Sequence, residues 1–131
     1  MRVLVAEDNL ENQEIIRRRL ERAGHEVTIA ANGLEAVELA KRDRPDLILM
    51  DISMPIMSGV EATQVIRRTP ELQTTPIIAL TAHAMEGDAE KCLSIGCDAF
   101  ATKPVRFSAL LELIAKTACQ RKSGEARSAR G

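Results

Sequence analysis

Short apolar runs that stop at a polar residue recur along the chain. Three of them, at 3–6, 47–50 and 77–80, are apolar at every position and end at an acid or a hydroxyl. Runs of this length predict strands that are buried between two layers of helices. The run at 27–30 alternates and predicts a strand nearer the edge of the sheet, and the short run at 99–101 predicts a fifth strand.

Segments with the apolar periodicity of a helix lie between these runs. The first of them ends at Gly24, a typical C-terminal glycine. Asn32 and Ser58 each stand three residues before a glutamate, which is the capping-box arrangement at the start of a helix. The helices predicted in this way span 10–23, 33 to about 43, 59 to about 68, 85–95 and 105 to about 119.

Strand and helix alternate five times, which predicts an α/β fold with a mostly parallel, doubly wound sheet covered by helices on both faces. The 131 residues are enough for one domain, and we expect it to occupy 1–118. The remaining segment, 119–131, is small, polar and basic and has no apolar period. It predicts a disordered tail or a truncated linker.

Charge and composition exclude several classes of binding protein. Aromatic residues make up only 2% of the chain, which argues against stacking platforms for single-stranded nucleic acid. The net charge of −1 hides an asymmetry, because 116–131 carries five basic residues and one acid and the rest of the chain is therefore at −5. An acidic body does not favour direct binding of nucleic acid.

Membrane and secretion signals are missing from the sequence. No apolar run approaches the roughly 18–20 residues of a membrane span, and the N-terminus lacks the order of a signal peptide. The three cysteines form no CxxC motif and have no histidine at zinc spacing. We therefore expect reduced thiols, no membrane partner and a cytoplasmic location.

The predicted strands end in residues that carry chemistry. Open parallel sheets place their sites at the carboxyl ends of the strands, so these side chains should meet. Three carboxylates at such an edge repel one another unless a cation neutralises them, and Mg²⁺ suits carboxylate oxygens. The alternative for Asp8 is that it caps the first helix. The strand-end residues are Glu7, Asp8, Asp51, Thr81 and Lys103.

These residues resemble the motifs of the receiver domains of two-component response regulators, and the resemblance covers residues 2 to about 117. The matching motifs are the acid pair, DISMPIMSG around Asp51, Thr81-Ala82 and Lys103-Pro104, with separations of 30 residues from Asp51 to Thr81 and 22 from Thr81 to Lys103. The resemblance implies a flavodoxin-like, five-stranded sheet in the order 2-1-3-4-5.

The resemblance also implies that Asp51 accepts a phosphoryl group from a phosphohistidine on a histidine kinase or a histidine phosphotransfer protein. A carboxylate can attack phosphorus to give an aspartyl phosphate. Glu7, Asp8 and Asp51 would hold Mg²⁺, together with the backbone carbonyl of Ser53.

The same resemblance implies that two further residues contact the phosphoryl oxygens. Lys103 would pair with one oxygen as a point charge, and Thr81 would donate a hydrogen bond to another. Phe100 stands where the family has its aromatic switch, although a plain core residue is the alternative. The residues expected to line the site are Ala82, His83 and Pro104.

The expected switch is a two-state change in which 85–95 moves and a downstream protein reads the surface over 85–113. The donor would dock over the first helix beside 8–12. The DNxxN string at 8–12 and TAHAMEGD after the fourth strand resemble receivers attached to hybrid histidine kinases. A dimer that forms on phosphorylation also remains open.

Several alternatives compete with this interpretation. The chain starts like a free-standing regulator, but a receiver segment cut from a hybrid sensor histidine kinase would look the same. A phosphohydrolase with an aspartyl-phosphate intermediate needs a second acid two residues after the nucleophile, where Ser53 stands. An interaction domain without phosphorylation does not need the full set of acids, Thr81 and Lys103. A flavin-binding relative would need a phosphate loop rich in Gly, Ser and Thr, and none follows the first strand of this chain. We expect a signalling receiver rather than an enzyme, with self-phosphorylation and self-dephosphorylation as its only chemistry.

Overall fold

The computed structural model describes the backbone of residues 1–52, 54, 56–81, 93–103 and 105–130, and the side chains of these residues up to 119. Within them, five parallel strands form one sheet in the order β2-β1-β3-β4-β5. The strands are β1 Arg2–Ala6, β2 Glu26–Ala30, β3 Leu47–Asp51, β4 Ile77–Thr81 and β5 Ala99–Thr102. Each predicted strand is confirmed, and β2 lies at an edge of the sheet as its alternating pattern indicated.

Helices cover both faces of this sheet. In the described part of the chain they are α1 Leu10–Arg22, α2 Gly33–Asp43, α3 Gly59–Arg68 and α4 Phe107–Arg130, and a 3-10 turn lies at Pro70–Leu72. The predicted starts of α2 and α3 are confirmed, because Asn32 and Ser58 accept hydrogen bonds from the backbone N–H groups of Glu35 and Glu61. The helix predicted over 85–95 lies outside the described residues except at its end, where 93–94 is helical.

Alternate residues of the strands supply two separate cores. Val5, Leu49 and Leu80 face a cluster that includes residues of α1 and α4. Ala6, Met50 and their neighbours face the other cluster, which includes residues of α2 and α3. β3 and β4 are buried at every position because both faces of the sheet are covered.

The last helix differs from the prediction, since α4 continues to Arg130 past the end predicted near Cys119. The backbone of 119–130 is therefore helical where the sequence suggested a disordered tail. Alanine, arginine, lysine and glutamate dominate this segment and favour a helix locally, and its single glycine costs only about 1 kcal/mol. The division into a domain over 1–118 and a tail stays a prediction. None of the described helices is both long and apolar enough to cross a membrane.

Gly59 generates a testable prediction about the loop that follows β3. Its N–H donates to the carbonyl oxygen of Ile52 at 3.0 Å, and a Cβ at this position would overlap the carbonyl of Asp51 and lie 2.8 Å from the Cα of Ile52. Helix propensity alone predicts that Gly59→Ala stabilises α3 by about 0.5–1 kcal/mol. Because the new methyl group would displace backbone, we expect a loss of about 1–3 kcal/mol in the free energy of unfolding by urea. Increased stability would contradict this close packing.

Candidate functional site

The sheet brings the predicted site residues together at the carboxyl ends of its strands. Glu7 and Asp8 directly follow β1, Asp51 and Thr81 are the last residues of β3 and β4, and Lys103 directly follows β5. The N–H of Lys103 donates to the carbonyl oxygen of Thr81 at 2.8 Å, which ties the end of β5 to the end of β4. Pairing of the strands thus brings together side chains that are distant in the sequence.

The ammonium group of Lys103 connects two of these acids. Its Nζ donates to Asp51 Oδ2 at 2.7 Å and to Glu7 Oε1 at 2.9 Å. Glu7 is 1% exposed and Asp51 is 4% exposed, so both carboxyl groups are largely removed from water. Buried carboxylates need such a partner, because an unpaired buried charge is costly.

The same contacts control the protonation of Lys103. Burial by itself lowers the pKa of Lys103, but the hydrogen bonds and the attraction of Asp51 and Glu7 outweigh it, so the pKa is raised above the ordinary value of 10.5. Lys103 is therefore a cation at neutral pH. It supplies a permanent positive charge next to Asp51.

Glu7 is held in place by Asn9, which belongs to the DNxxN string, and by Gln13, which lies outside every motif of the sequence. The backbone N–H of Asn9 donates to Glu7 Oε2 at 3.1 Å, and Gln13 Nε2 donates to the backbone carbonyl of Glu7 at 2.6 Å. Asn9 also caps α1, because its side chain accepts from the N–H of Asn12 at 3.0 Å. The spacing of the two asparagines was a signal for this cap, whereas nothing in the sequence pointed to Gln13.

Because Asn9 caps α1, the side chain of Asp8 is available to the acidic cluster. Carboxylate oxygens of Glu7, Asp8 and Asp51 all lie within 4.8 Å of one another. As ionised groups they carry a charge of −3, and Lys103 brings the site to −2. An all-oxygen donor set with this residual charge fits a hard divalent cation such as Mg²⁺.

The remaining predicted residues fall into two groups. Thr81 is 7% exposed at the end of β4, and Phe100 on β5 is partly buried against the core on the α2–α3 face. Four others lie outside the described residues, so the roles expected of them stay predictions: Ser53, Ala82, His83 and Pro104.

Comparison with known proteins identifies the family of this chain. The family model of the response regulator receiver domain matches residues 3–115 of the chain. The chain belongs to this family. Receiver domains are the signalling modules of two-component systems, so the resemblance of the motifs is confirmed.

Relatives of this receiver domain include free-standing and kinase-attached proteins. The polar-differentiation response regulator DivK of Brucella anthropi is 44% identical over 112 residues, covering 86% of this chain and 91% of the relative. The receiver domain of the sensor histidine kinase PA1611 of Pseudomonas aeruginosa, solved with a magnesium ion coordinated in its active site cleft, is 39% identical. It superposes with a TM-score of 0.84, covering 89% of this chain and 96% of that one.

A third similar structure is a complex. It is the co-crystal structure of the Saccharomyces cerevisiae histidine phosphotransfer signaling protein Ypd1 with the receiver domain of its downstream response regulator Ssk1. The match has 34% identity and a TM-score of 0.86, and it covers 92% of this chain and 90% of that chain. The flavodoxin-like fold predicted from the sequence is thereby confirmed.

The contacts of Lys103 predict how stability depends on pH. Lys103→Met keeps the length of the side chain but leaves Glu7 and Asp51 without their cation. We expect the free energy of unfolding to fall by about 2 kcal/mol at pH 7, less than for a fully buried pair because Lys103 is 24% exposed.

The sign of the pH effect follows from the raised pKa of Lys103. The stabilisation is complete below the ordinary lysine pKa of 10.5 and is lost as the pH rises through the higher pKa of the folded state. Urea unfolding of wild type and Lys103→Met is measured from pH 7 to 11. The difference between their free energies of unfolding should shrink only at the alkaline end. Lys116→Met, at an exposed position of α4, is the control and should match wild type. A difference that grows above pH 10 would contradict the ion pair.

Proposed function

We propose that this receiver domain is a phosphoacceptor of a two-component phosphorelay, and that Asp51 takes the phosphoryl group from a phosphohistidine with Mg²⁺ present. The observation that carries the proposal is the contact of Lys103 Nζ with Asp51 Oδ2 at 2.7 Å, beside two further acids. A buried carboxylate with an adjacent permanent cation and a dication site is the arrangement that phosphoryl transfer requires.

Transfer of the phosphoryl group to Asp51 needs no reactant other than the phosphohistidine. A carboxylate oxygen of Asp51 forms a bond to phosphorus, the bond from phosphorus to the histidine nitrogen breaks, and the imidazole leaves with that electron pair. The ammonium of Lys103, which already contacts Asp51, is close enough to pair with an oxygen of the incoming phosphoryl group. Hydrolysis of the aspartyl phosphate would return Asp51 to its starting state.

Mg²⁺ would be held by Glu7, Asp8 and Asp51, and we include the backbone carbonyl of Ser53 as a further ligand. When bound, the ion offsets negative charge on the transferring phosphoryl oxygens. The magnesium ion in the cleft of the similar PA1611 receiver supports this choice of metal.

The switch would start at Thr81. Its hydroxyl would donate to a phosphoryl oxygen, and its backbone carbonyl already accepts from the N–H of Lys103 at 2.8 Å. Phe100 pairs with Ala79 in the register of β4 and β5, two positions before the pair of Thr81 and Thr102. A shift of Thr81 would therefore be transmitted to the strand that carries Phe100.

The partners would bind on two sides of the domain. A cavity of about 520 Å³ lies between α1 and the start of α4, with Ile15, Val105 and Phe107 among its apolar walls and Glu7 and Lys103 at its polar end. It supports docking of a histidine kinase or a histidine phosphotransfer protein over α1.

A second cavity, of about 390 Å³, is lined by β5 and α4, with Phe100, Leu110 and Leu113 among its walls. It supports the proposal that a downstream protein binds the 85–113 surface. A receiver segment of a hybrid sensor histidine kinase remains the second candidate, favoured by the similarity to the PA1611 receiver. The cytoplasmic location and a dimer formed on phosphorylation stay predictions.

The experiment is phosphorylation by acetyl phosphate, read as the intact mass of the protein. With Mg²⁺ present, we expect wild type to gain the mass of one phosphoryl group, and Asp51→Asn to gain none because it lacks the attacking carboxylate. Lys103→Met should gain it at least about tenfold more slowly, since it lacks the cation that stabilises the transferring oxygens.

The matched control is Asp46→Asn, which replaces an acid at the opposite ends of the strands and should be phosphorylated like wild type. Addition of EDTA should abolish the gain in wild type. Equal phosphorylation of Asp51→Asn, or none of wild type, would refute the proposed function.

A further inference from the structure

Glu7 is held by a hydrogen bond at each of its nitrogen and oxygen atoms. Its N–H donates to the carbonyl oxygen of Ala30 on β2 at 2.9 Å, and its own carbonyl oxygen accepts from Gln13 Nε2 at 2.6 Å. Its carboxylate accepts from the ammonium of Lys103 at Oε1 and from the N–H of Asn9 at Oε2. The first acid of the cluster is therefore fixed in position by the protein itself.

Asp8, the next residue, is held differently. It is exposed, and within the described part of the chain no hydrogen bond or ion pair restrains its carboxylate. A carboxylate oxygen of Asp8 nevertheless lies within 4.8 Å of oxygens of both Glu7 and Asp51. Because like charges at this distance repel one another, the position of this carboxylate has to come from the backbone of Asp8.

Gln13 bonds to this backbone. It lies in the first turn of α1, and its side chain reaches back to the carbonyl group between Glu7 and Asp8. A peptide unit is planar, so this carbonyl group shares one rigid plane with the N–H and the Cα of Asp8. The peptide unit on the other side of Asp8 is fixed as well, since the N–H of Asn9 donates to Glu7 Oε2 at 3.1 Å. The chain thus enters and leaves Asp8 in a fixed direction.

The start of α1 is stabilised by other contacts. The side chain of Asn9 accepts from the N–H of Asn12 at 3.0 Å, and its carbonyl oxygen accepts from the N–H of Gln13 at 2.9 Å. The side chain of Gln13 is not part of these capping bonds, because its donor goes to Glu7. This side-chain contact therefore belongs to the acidic cluster rather than to the cap of the helix.

We propose that Gln13 is a positioning residue of the cation site, an inference that rests on the proposed function. By holding the peptide unit between Glu7 and Asp8, it keeps the carboxylate of Asp8 beside those of Glu7 and Asp51 before the ion arrives. A site that is already arranged loses less conformational freedom when Mg²⁺ binds, so its affinity is higher. Removal of a group that holds metal ligands in place weakens binding of the metal by about 10- to 100-fold.

The test compares three variants with wild type. Gln13→Met keeps the length of the side chain and removes the donor, and Gln13→Glu keeps its shape but presents an acceptor to the carbonyl of Glu7. Thr69→Val is the matched control, because Thr69 also donates from its side chain to a backbone carbonyl, that of Val65, at 2.9 Å. It lies at the end of α3 that is remote from Asp51. The Kd of Mg²⁺ is measured by calorimetry, and the Tm is measured without the ion.

We expect Gln13→Met to bind Mg²⁺ about tenfold more weakly than wild type. Gln13→Glu should also bind it more weakly, although a further negative charge near the ion would by itself strengthen binding. Gln13→Met and Thr69→Val should both lower the Tm by about 4 °C, the effect of losing one hydrogen bond. Thr69→Val should nevertheless keep the Kd of wild type.

The rate of phosphorylation by acetyl phosphate provides a second readout. Gln13→Met should need about tenfold more Mg²⁺ to reach half of its maximal rate, and this maximal rate should be within about twofold of that of wild type. The split is expected because Gln13 acts on the ion only through Glu7 and Asp8.

An unchanged Kd for Gln13→Met would overturn the positioning role, and so would tighter binding by Gln13→Glu. An equal loss of affinity in Thr69→Val would overturn it as well, since the effect would then follow from stability alone. A lower maximal rate of Gln13→Met without a greater need for Mg²⁺ would do the same. If wild type binds no Mg²⁺, the metal site of the proposed function fails, which differs from binding by wild type that the loss of Gln13 leaves unaffected.

Discussion

The contact of one ammonium group with two buried carboxylates is the constraint on which the site depends. Lys103 reaches from the end of β5 to Asp51 on β3 and to Glu7 after β1. Without it, the buried carboxylates of Glu7 and Asp51 would lose the positive charge that neutralises them. With it, the cluster with Asp8 still carries a formal charge of −2, which fits the divalent cation proposed for this site.

Contacts at the opposite ends of the strands hold β4, which ends at Thr81, and β5, which Lys103 follows. The guanidinium group of Arg67 donates to the carboxylate of Asp98 at 2.9 Å, and that same carboxylate accepts from the N–H of Ile77 at 2.8 Å. These bonds fix the starts of β4 and β5 against the end of α3. The carbonyl groups that also accept from Arg67 belong to Leu72, Gln73, Thr75 and Gly96. The frame that carries Thr81 and Lys103 is thus anchored at both ends of the strands.

Much of this frame could be predicted because its signals are local. A few consecutive residues are enough to indicate each buried strand, each helix cap and each acid that follows a strand. The strand order came with the family resemblance. The sequence left Asp8 with two roles, and the structure separates them because Asn9 caps α1. The contact between Lys103 and Glu7 joins residues 96 positions apart and depends on rotamers, so no local pattern could predict it. The positive φ of Ile56, 67°, could not be predicted for the opposite reason, since the propensity of isoleucine argues against that conformation.

Calorimetric titration with Mg²⁺ tests the central claim most directly, because it measures the charge balance of the site without any phosphoryl transfer. We predict that wild type binds one ion, that Asp51→Asn binds it more weakly, and that Lys103→Met binds it more tightly, since Lys103 no longer competes for the carboxylates of Glu7 and Asp51. No binding by wild type, or weaker binding by Lys103→Met, would contradict the account.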